Sequence, residues 1–182
     1  MDKIATHNSA TGERSGGILS FLATPFARCQ DKTIAEQYKA GARLFDIRIR
    51  HTSHGWRFAH GLWTSSVPVC YVLSNLNLEA FKQQEKATLI VTYEGSCPDR
   101  RAFVDEVNSW HCYVWIDVAE VNVKKPKWLT LVRHSNVRIT QCFRALDFRS
   151  WHTLIPIPRL WAKFYTQHEV PANSYRMVDF LN

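Results

Sequence analysis

The sequence predicts an α/β fold, namely a shortened or irregular TIM-like (β/α) barrel with parallel strands and outer helices. Segments with strand patterns alternate with segments of helical spacing, which is typical of β–α–β units and a parallel sheet. The chain has 182 residues, whereas a complete barrel of this kind takes about 250. Residues 143–172 contain three prolines and no clear strand pattern. We therefore expect one domain over residues 1–182, in which 143–172 are an irregular, truncated part of the barrel.

The chain begins with a short predicted strand, KIAT at 3–6, followed by a loop, TGERSGG at 11–17. Thr33 and Glu36 have the spacing of a capping box, which predicts that a helix begins there, and Gly41 is a suitable end for it. This first unit therefore runs from strand to loop to helix.

The next segments carry the clearest strand patterns. RLFDIRIR at 43–50 alternates strictly, with apolar residues on one face and charged residues on the other. TLIVTYE at 88–94 is a nearly continuous apolar run that ends on a carboxylate, which favours a buried parallel strand. The other predicted strands are 56–60, 113–118, 137–140 and 175–180, and the other predicted helices are 73–84 and 98–110.

Polar side chains occur at or near the ends of the predicted strands. In chain order they are His7, Asp46, Arg48, His60, Glu94 and Asp179. Because the carboxyl ends of barrel strands converge at one mouth, we expect these groups to share a site. Two histidines can act as base and acid near neutral pH, and an arginine offers a cationic fork for a phosphate. Such a set suits cleavage of a phosphodiester by a neighbouring hydroxyl of the substrate.

Four segments in order, THNSATG, KTIAEQYKAGARLFDIRIR, FAHG and TLIVTYEG, resemble the catalytic X domain of phosphatidylinositol-specific phospholipases C, a TIM-barrel family. The resemblance covers residues 4–100, and the tail YRMVDFLN is similar to the family's last strand, whereas 100–172 match poorly. It implies a phosphoric diester hydrolase that acts on phosphatidylinositol-type lipids at a membrane surface.

The resemblance also implies a role for each matching residue. His7 corresponds to the general base that activates the inositol 2-hydroxyl, and His60 to the general acid that protonates the diacylglycerol oxygen. Asp46 and Arg48 match the acidic and arginine positions of the bacterial, metal-independent branch, and Asp179 matches the carboxylate that orients the base. The implied reaction transfers the phosphorus to the inositol 2-oxygen and gives a cyclic inositol phosphate and diacylglycerol.

Two departures from the bacterial pattern leave a metal alternative open. Asn8 and Glu94 stand where the calcium-dependent branch has an asparagine and a glutamate, so Asn8, Asp46 and Glu94 are candidate Ca²⁺ ligands. Arg48 stands where that branch has a ligating carboxylate, and a guanidinium would repel the cation. We therefore expect no cofactor, with Asn8, Glu94 and Arg144 as substrate-binding residues.

Composition restricts the partners. The net charge of +7 favours anionic ones, although no nucleic acid is expected. Five cysteines without a C-x-x-C motif are consistent with a reducing compartment. No signal peptide or apolar run of membrane-spanning length is visible. We expect a monomer that is cytoplasmic and transiently at a membrane surface.

Several alternatives remain open from the residues alone. The chain could be an inactive or weakly active truncated X domain that binds anionic headgroups, or a glycerophosphodiester or sphingolipid phosphodiesterase. Asp46 and Arg48 could be a structural ion pair. The spacing of His51, His54 and His60 admits a metal cluster. The segment from Trp63 to 72 could form an apolar rim at a membrane, although core packing is the commoner fate.

Overall fold

Nine strands and four α-helices make up the described part of the computed structural model, which covers residues 3–125, 128–133, 137–141, 171, 174–179 and 181. The strands are β1 (Lys3–Thr6), β2 (Ala42–Thr52), β3 (Gly55–His60), β4 (Trp63–Pro68), β5 (Ala87–Ser96), β6 (Ile116–Lys125), β7 (Leu129–Arg133), β8 (Ile139–Gln141) and β9 (Tyr175–Val178). The helices are α1 (Gly17–Ala27), α2 (Ile34–Lys39), α3 (Val69–Gln83) and α4 (Arg100–Ser109), with short 3-10 helices at Ser9–Gly12 and Trp110–Cys112.

The strands form one mixed sheet in the order β7-β6-β5-β2-β1-β9-β8. The pairs from β6 through β5, β2, β1 and β9 to β8 are all parallel, as the sequence predicts. β7 is antiparallel to β6. Within the described residues β7 and β8 lie at opposite edges and the sheet is not closed, so the predicted barrel is confirmed only as a mixed α/β sheet.

β3 and β4 do not take part in the parallel sheet. β3 pairs antiparallel with β2, and β4 pairs antiparallel with β3. The reason lies in the connection between β2 and β3, where Thr52 pairs with Gly55 and only two residues separate them. A parallel connection needs a crossover of a dozen residues or more. The hairpin therefore carries His60 back along β2 toward the level of Arg48.

Helices α2, α3 and α4 match the predicted helical segments, whereas helix α1 and strand β6 differ from the prediction. The predicted capping box is confirmed: the Thr33 hydroxyl accepts from the Glu36 N–H at 3.3 Å, and the Glu36 carboxylate accepts from the Thr33 N–H at 2.8 Å. α1 was not predicted, and its large apolar residues lie on its outer face. The strand expected at 113–118 begins at Ile116 and continues to Lys125, after a 3-10 turn.

The core lies between the sheet and the helices. Phe45, Ile47 and Ile49 of β2 are fully buried, as their alternation predicts, and pack with Leu73 and Leu76 of α3 in one cluster. This packing fixes the opposite, charged face of β2 as the one that meets the site.

Trp63 is packed in the core and is not part of an apolar rim. Trp63 is 1% exposed, and its indole N–H donates to the Ser15 hydroxyl at 3.0 Å.

Among the described residues no helix is both long and apolar enough to cross a bilayer. Residues 143–172, expected to be an irregular part of the barrel, lie outside the described residues except for Pro171.

Candidate active site

Seven of the eight predicted site residues meet at the carboxyl edge of the parallel strands. They are His7 and Asn8 after β1, Asp46 and Arg48 on β2, His60 at the end of β3, Glu94 in β5 and Asp179 after β9. Strands β1 and β9 are parallel neighbours, with Thr6 paired to Val178, so the residues that follow them emerge side by side. The other predicted residue, Arg144, lies outside the described residues.

His7 is held from both sides of its ring. Its Nδ1 lies 2.9 Å from the Asp179 carboxylate, a contact that makes Nδ1 the protonated nitrogen. Nε2 then carries the lone pair and accepts from the Asn8 amide at 3.1 Å. The Arg48 guanidinium lies 3.5 Å from the same nitrogen. This arrangement gives Nε2 the geometry of a base that faces a cation.

Asn8 turns the chain out of β1 toward the site. Its backbone has φ 44 and ψ 47, in the left-handed region that asparagine tolerates better than most residues. In this conformation its N–H donates to the Asp46 carboxylate at 3.2 Å. The asparagine therefore connects the end of β1 to the charged face of β2.

Arg48 links two carboxylates. Its guanidinium lies 3.9 Å from Asp46 and 3.5 Å from Glu94, and its charge sits 5.8 Å from the Trp128 ring. All three charged side chains are mostly buried, at 12%, 12% and 5% exposed. Since a buried guanidinium needs compensating charge, the two carboxylates fix its position. The result is a cationic fork held beside His7.

Glu94 is surrounded by donors. Besides Arg48, its carboxylate accepts from the Lys124 ammonium and from the Gly61 N–H, each at 3.0 Å. Burial raises the pKa of Glu94, but the Gly61 hydrogen bond and the two cations outweigh it, so the net shift is downward. Glu94 is therefore an anion at neutral pH and is not available as a proton donor.

His60 occupies a different environment from His7. Its Nδ1 lies 2.8 Å from the Ala27 carbonyl at the end of α1, so Nδ1 donates and Nε2 faces the site. Burial, followed by the nearby charge of Arg48, lowers the pKa of His60 to about 4. No carboxylate hydrogen-bonds this ring among the described residues. His60 is thus neutral at pH 7 in the unliganded protein.

Two residues of the site, Gln30 and Lys124, were not predicted from the sequence. Gln30 is fully buried, and its amide donates to the carbonyls of His7 and Val178 at 3.2 and 3.0 Å, which locks β1 against β9. Lys124 reaches Glu94 from β6, a strand whose position the sequence misplaced. A lysine late in an apolar strand is a weak hint at best.

Solved structures of other proteins share the fold of this chain. The chain matches phosphatidylinositol-specific phospholipase C from Listeria monocytogenes with a TM-score of 0.56 and 15% identity, covering 97% of this chain and 72% of that one. The chain has a phospholipase C-like fold. Two structures of phosphatidylinositol-specific phospholipase C from Staphylococcus aureus, one of them a point mutant, match at 19% identity with TM-scores of 0.45 and 0.47. These two matches cover 57% and 60% of this chain and about a third of theirs, 35% and 36%. No family model and no curated protein matches the sequence.

Two groups of donors in the candidate site bear on metal binding. Glu94, from the proposed calcium set, already contacts both Arg48 and Lys124, so a divalent cation there would face two positive charges. A second group consists of His7, Cys29 and Asp179, whose ligand atoms lie within 4.8 Å of one another. Burial, then the Asp179 charge, raises the pKa of the Cys29 thiol well above its usual value, so it is protonated at pH 7. His51, His54 and His60 do not form a metal-binding group within the described part.

Proposed function

We propose that this protein is a phosphodiesterase that cleaves phosphatidylinositol-type lipids to diacylglycerol and a cyclic inositol phosphate. The observation that carries this proposal is the surroundings of His7, whose Nδ1 is 2.9 Å from Asp179 and whose Nε2 is 3.5 Å from Arg48. An oriented imidazole can take the proton of the attacking hydroxyl. A guanidinium fixed beside it can stabilise the negative charge of the phosphate under attack. The phospholipase C-like fold supports the same reaction class.

In the first step His7 Nε2 takes the proton of the inositol 2-hydroxyl while that oxygen attacks the phosphorus. Asp179 stabilises the imidazolium that forms, because it accepts from Nδ1–H. Arg48 lies 3.5 Å from Nε2, the nitrogen that takes the proton, and would neutralise the charge that builds on the phosphate oxygens. No metal ion is required for either task.

The bond from phosphorus to the diacylglycerol oxygen breaks as His60 supplies a proton to that oxygen from Nε2. Its pKa of about 4 makes it a strong acid, and it needs to be protonated first. A bound phosphate anion offsets the Arg48 charge, which is one of the causes of the low pKa, and therefore favours the protonated form of His60. His60 takes this proton from solvent as the substrate binds, holds it on Nε2, and after P–O cleavage the proton is on the diacylglycerol hydroxyl and the imidazole is neutral again.

The test is turnover of phosphatidylinositol in mixed vesicles, with release of cyclic inositol phosphate followed by phosphorus NMR. Phosphorylated inositides and sphingomyelin serve as parallel substrates. We expect phosphatidylinositol to be cleaved and sphingomyelin, which lacks the neighbouring hydroxyl on its headgroup, to remain intact. Binding of phosphatidylinositol without any turnover would overturn the proposal in favour of a headgroup-binding domain.

Metal chelation gives a separate prediction. Since Arg48 and Lys124 both contact Glu94, EDTA should leave the turnover rate unchanged within twofold. The rate of phosphatidylinositol cleavage is measured with EDTA and then with excess Ca²⁺. Loss of activity in EDTA and its recovery with Ca²⁺ would instead favour Asn8, Asp46 and Glu94 as calcium ligands.

The low pKa of His60 also predicts a pH dependence of stability. The folded pKa of about 4 lies below the ordinary 6.5, so the unfolded chain binds the proton more readily. The free energy of unfolding is therefore highest above pH 6.5 and falls by about 3 kcal/mol as the pH drops through 4, because each pKa unit is worth about 1.4 kcal/mol. Urea unfolding at a series of pH values measures it. A His60→Asn variant should lose less stability than the wild type over this range, and an identical pH dependence would contradict the assignment.

A further inference from the structure

Cys29 carries a buried thiol in the candidate site that the proposed mechanism does not use. It is 2% exposed and is a free cysteine. Its backbone is fixed, because its N–H donates to the Thr11 hydroxyl at 2.9 Å. The next residue, Gln30, attaches the same loop to the His7 carbonyl at 3.2 Å. The thiol is therefore held near the end of β1, beside the proposed base.

Three side chains of different chemistry converge at this thiol. The ligand atoms of His7, Cys29 and Asp179 lie within 4.8 Å of one another, and the last two residues are buried. His7 Nδ1 and the Asp179 carboxylate are already 2.9 Å apart. The ligand atoms of one tetrahedral zinc ion lie about 3 to 4 Å from one another, since the bonds to zinc are about 2.0 to 2.3 Å long. Small side-chain rotations would therefore let one ion bind all three residues.

Asn8 offers a fourth donor at the same point. Its side-chain amide nitrogen lies 3.5 Å from Cys29 Sγ and 3.5 Å from His7 Nδ1. The residue is 3% exposed, and its Oδ1 is buried with no hydrogen-bond partner among the described residues. A half-turn of the amide group exchanges its nitrogen and oxygen with little change of shape. The turned amide would present Oδ1 to an ion bound by the other three residues.

The kinds of donor at this point favour zinc over calcium. Thiolate and imidazole are common ligands of Zn²⁺, whereas Ca²⁺ takes oxygen ligands. The Asp179 carboxylate and the Cys29 thiolate that forms on binding offset the charge of the ion. The Arg48 guanidinium contacts the other ring nitrogen, Nε2, at 3.5 Å. Its own charge is balanced by Asp46 at 3.9 Å and Glu94 at 3.5 Å, which limits its repulsion of the metal.

We propose that His7, Cys29 and Asp179 form an inhibitory zinc site. The Asn8 Oδ1 is its fourth ligand. Zn²⁺ binds Nδ1 in place of the ring proton, which moves to Nε2 because a neutral imidazole carries one proton. The Cys29 thiol proton leaves to the buffer as the bond from sulfur to zinc forms. Nε2 then has no lone pair for the inositol 2-hydroxyl, so bound zinc stops turnover and the metal-free chain is the active form.

The inference rests on the proposed function only for the effect on turnover, so metal binding is measured first and without substrate. The metal-free full chain is titrated with Co²⁺, which is then displaced by Zn²⁺. A thiolate ligand gives a sulfur-to-cobalt charge-transfer band in the near ultraviolet. Cys29→Ser should abolish this band and lower the zinc affinity by about a hundredfold or more, because it removes the thiolate. The matched control, Cys70→Ser/Cys112→Ser, removes exposed thiols and should change neither.

A complementary variant keeps Cys29 as the sole cysteine, in case the buried substitution prevents folding. It should retain the charge-transfer band, and its replacements are Cys70→Ser, Cys97→Ser, Cys112→Ser and Cys142→Ser. Zinc should also raise the melting temperature of this variant, because the ion binds only the folded chain. A missing band in the folded variant would overturn the proposal, as would equal zinc affinities of wild type and folded Cys29→Ser.

Turnover is then measured with and without zinc. Saturating Zn²⁺ should lower the wild-type rate of phosphatidylinositol cleavage by about a hundredfold or more, the effect of a lost base, and EDTA should restore it. The rate of Cys29→Ser should not respond to the same zinc concentration. Cobalt and zinc binding that depends on Cys29, without any cleavage, leaves the metal site standing and removes the enzyme. Cleavage that zinc slows equally in wild type and Cys29→Ser removes the inhibitory site and leaves the enzyme.

Discussion

His7→Ala should lower the turnover of phosphatidylinositol by about 10²- to 10⁴-fold, the range typical of a lost general base. The substitution removes the Nε2 lone pair that lies 3.5 Å from Arg48 and leaves the phosphate-binding fork in place. We therefore expect kcat to fall far more than KM changes. Initial rates of cyclic inositol phosphate release measure both.

Two variants show whether the loss comes from the base. His54→Ala removes an exposed histidine in the β2–β3 turn and should keep wild-type activity. Asp179→Asn keeps the shape of the side chain but weakens its hold on Nδ1–H, so it should lower kcat less than His7→Ala and shift the pH profile. Full activity in His7→Ala would remove the proposed mechanism.

Arg48→Lys should lower kcat by about 10²- to 10³-fold, as expected when a preorganised group that stabilises the transition state is lost. The guanidinium contacts Asp46, Glu94 and His7 at once, at 3.9, 3.5 and 3.5 Å. A lysine ammonium is a compact point charge on a flexible stem and cannot span these three groups. The positive charge alone should therefore not restore activity.

The matched control is Arg43→Lys. Arg43 lies on the same strand, is similarly ion-paired, at 2.7 Å to Glu85, and stands at the opposite end from the site. Its substitution should leave kcat unchanged. If Arg48→Lys were as active as Arg43→Lys, Arg48 would be a structural ion pair and not a transition-state group.

The strands and helices that the sequence predicted are those marked by a pattern within a few neighbouring residues. The alternation of β2 placed Asp46 and Arg48 on the polar face, because apolar residues on the other face must enter the core. The capping box located α2 because its two hydrogen bonds are made within four residues of chain. Hydrophobic burial and local hydrogen bonds depend on neighbouring residues, so they can be predicted from sequence.

The direction of β3 was available in principle and was missed. The two residues between Thr52 and Gly55 permit only a hairpin. The order of residues did place His60 at a strand end, but the antiparallel return is what brings it to the level of Arg48. The position of His60 beside Arg48 therefore depends on the antiparallel hairpin and not on a parallel strand end.

The sequence by itself determined the mixed sheet's parallel centre and the identity of the polar residues at its edge. Only the tertiary structure decided how these residues pair: which nitrogen of His7 meets Asp179, and that Lys124 and Arg48 share Glu94. It also decided that α1 turns its apolar side outward, since hydroxyl contacts with Ser15 and Thr64 set its rotation. Contacts between residues far apart in the chain depend on packing of the whole domain, and no local pattern encodes them.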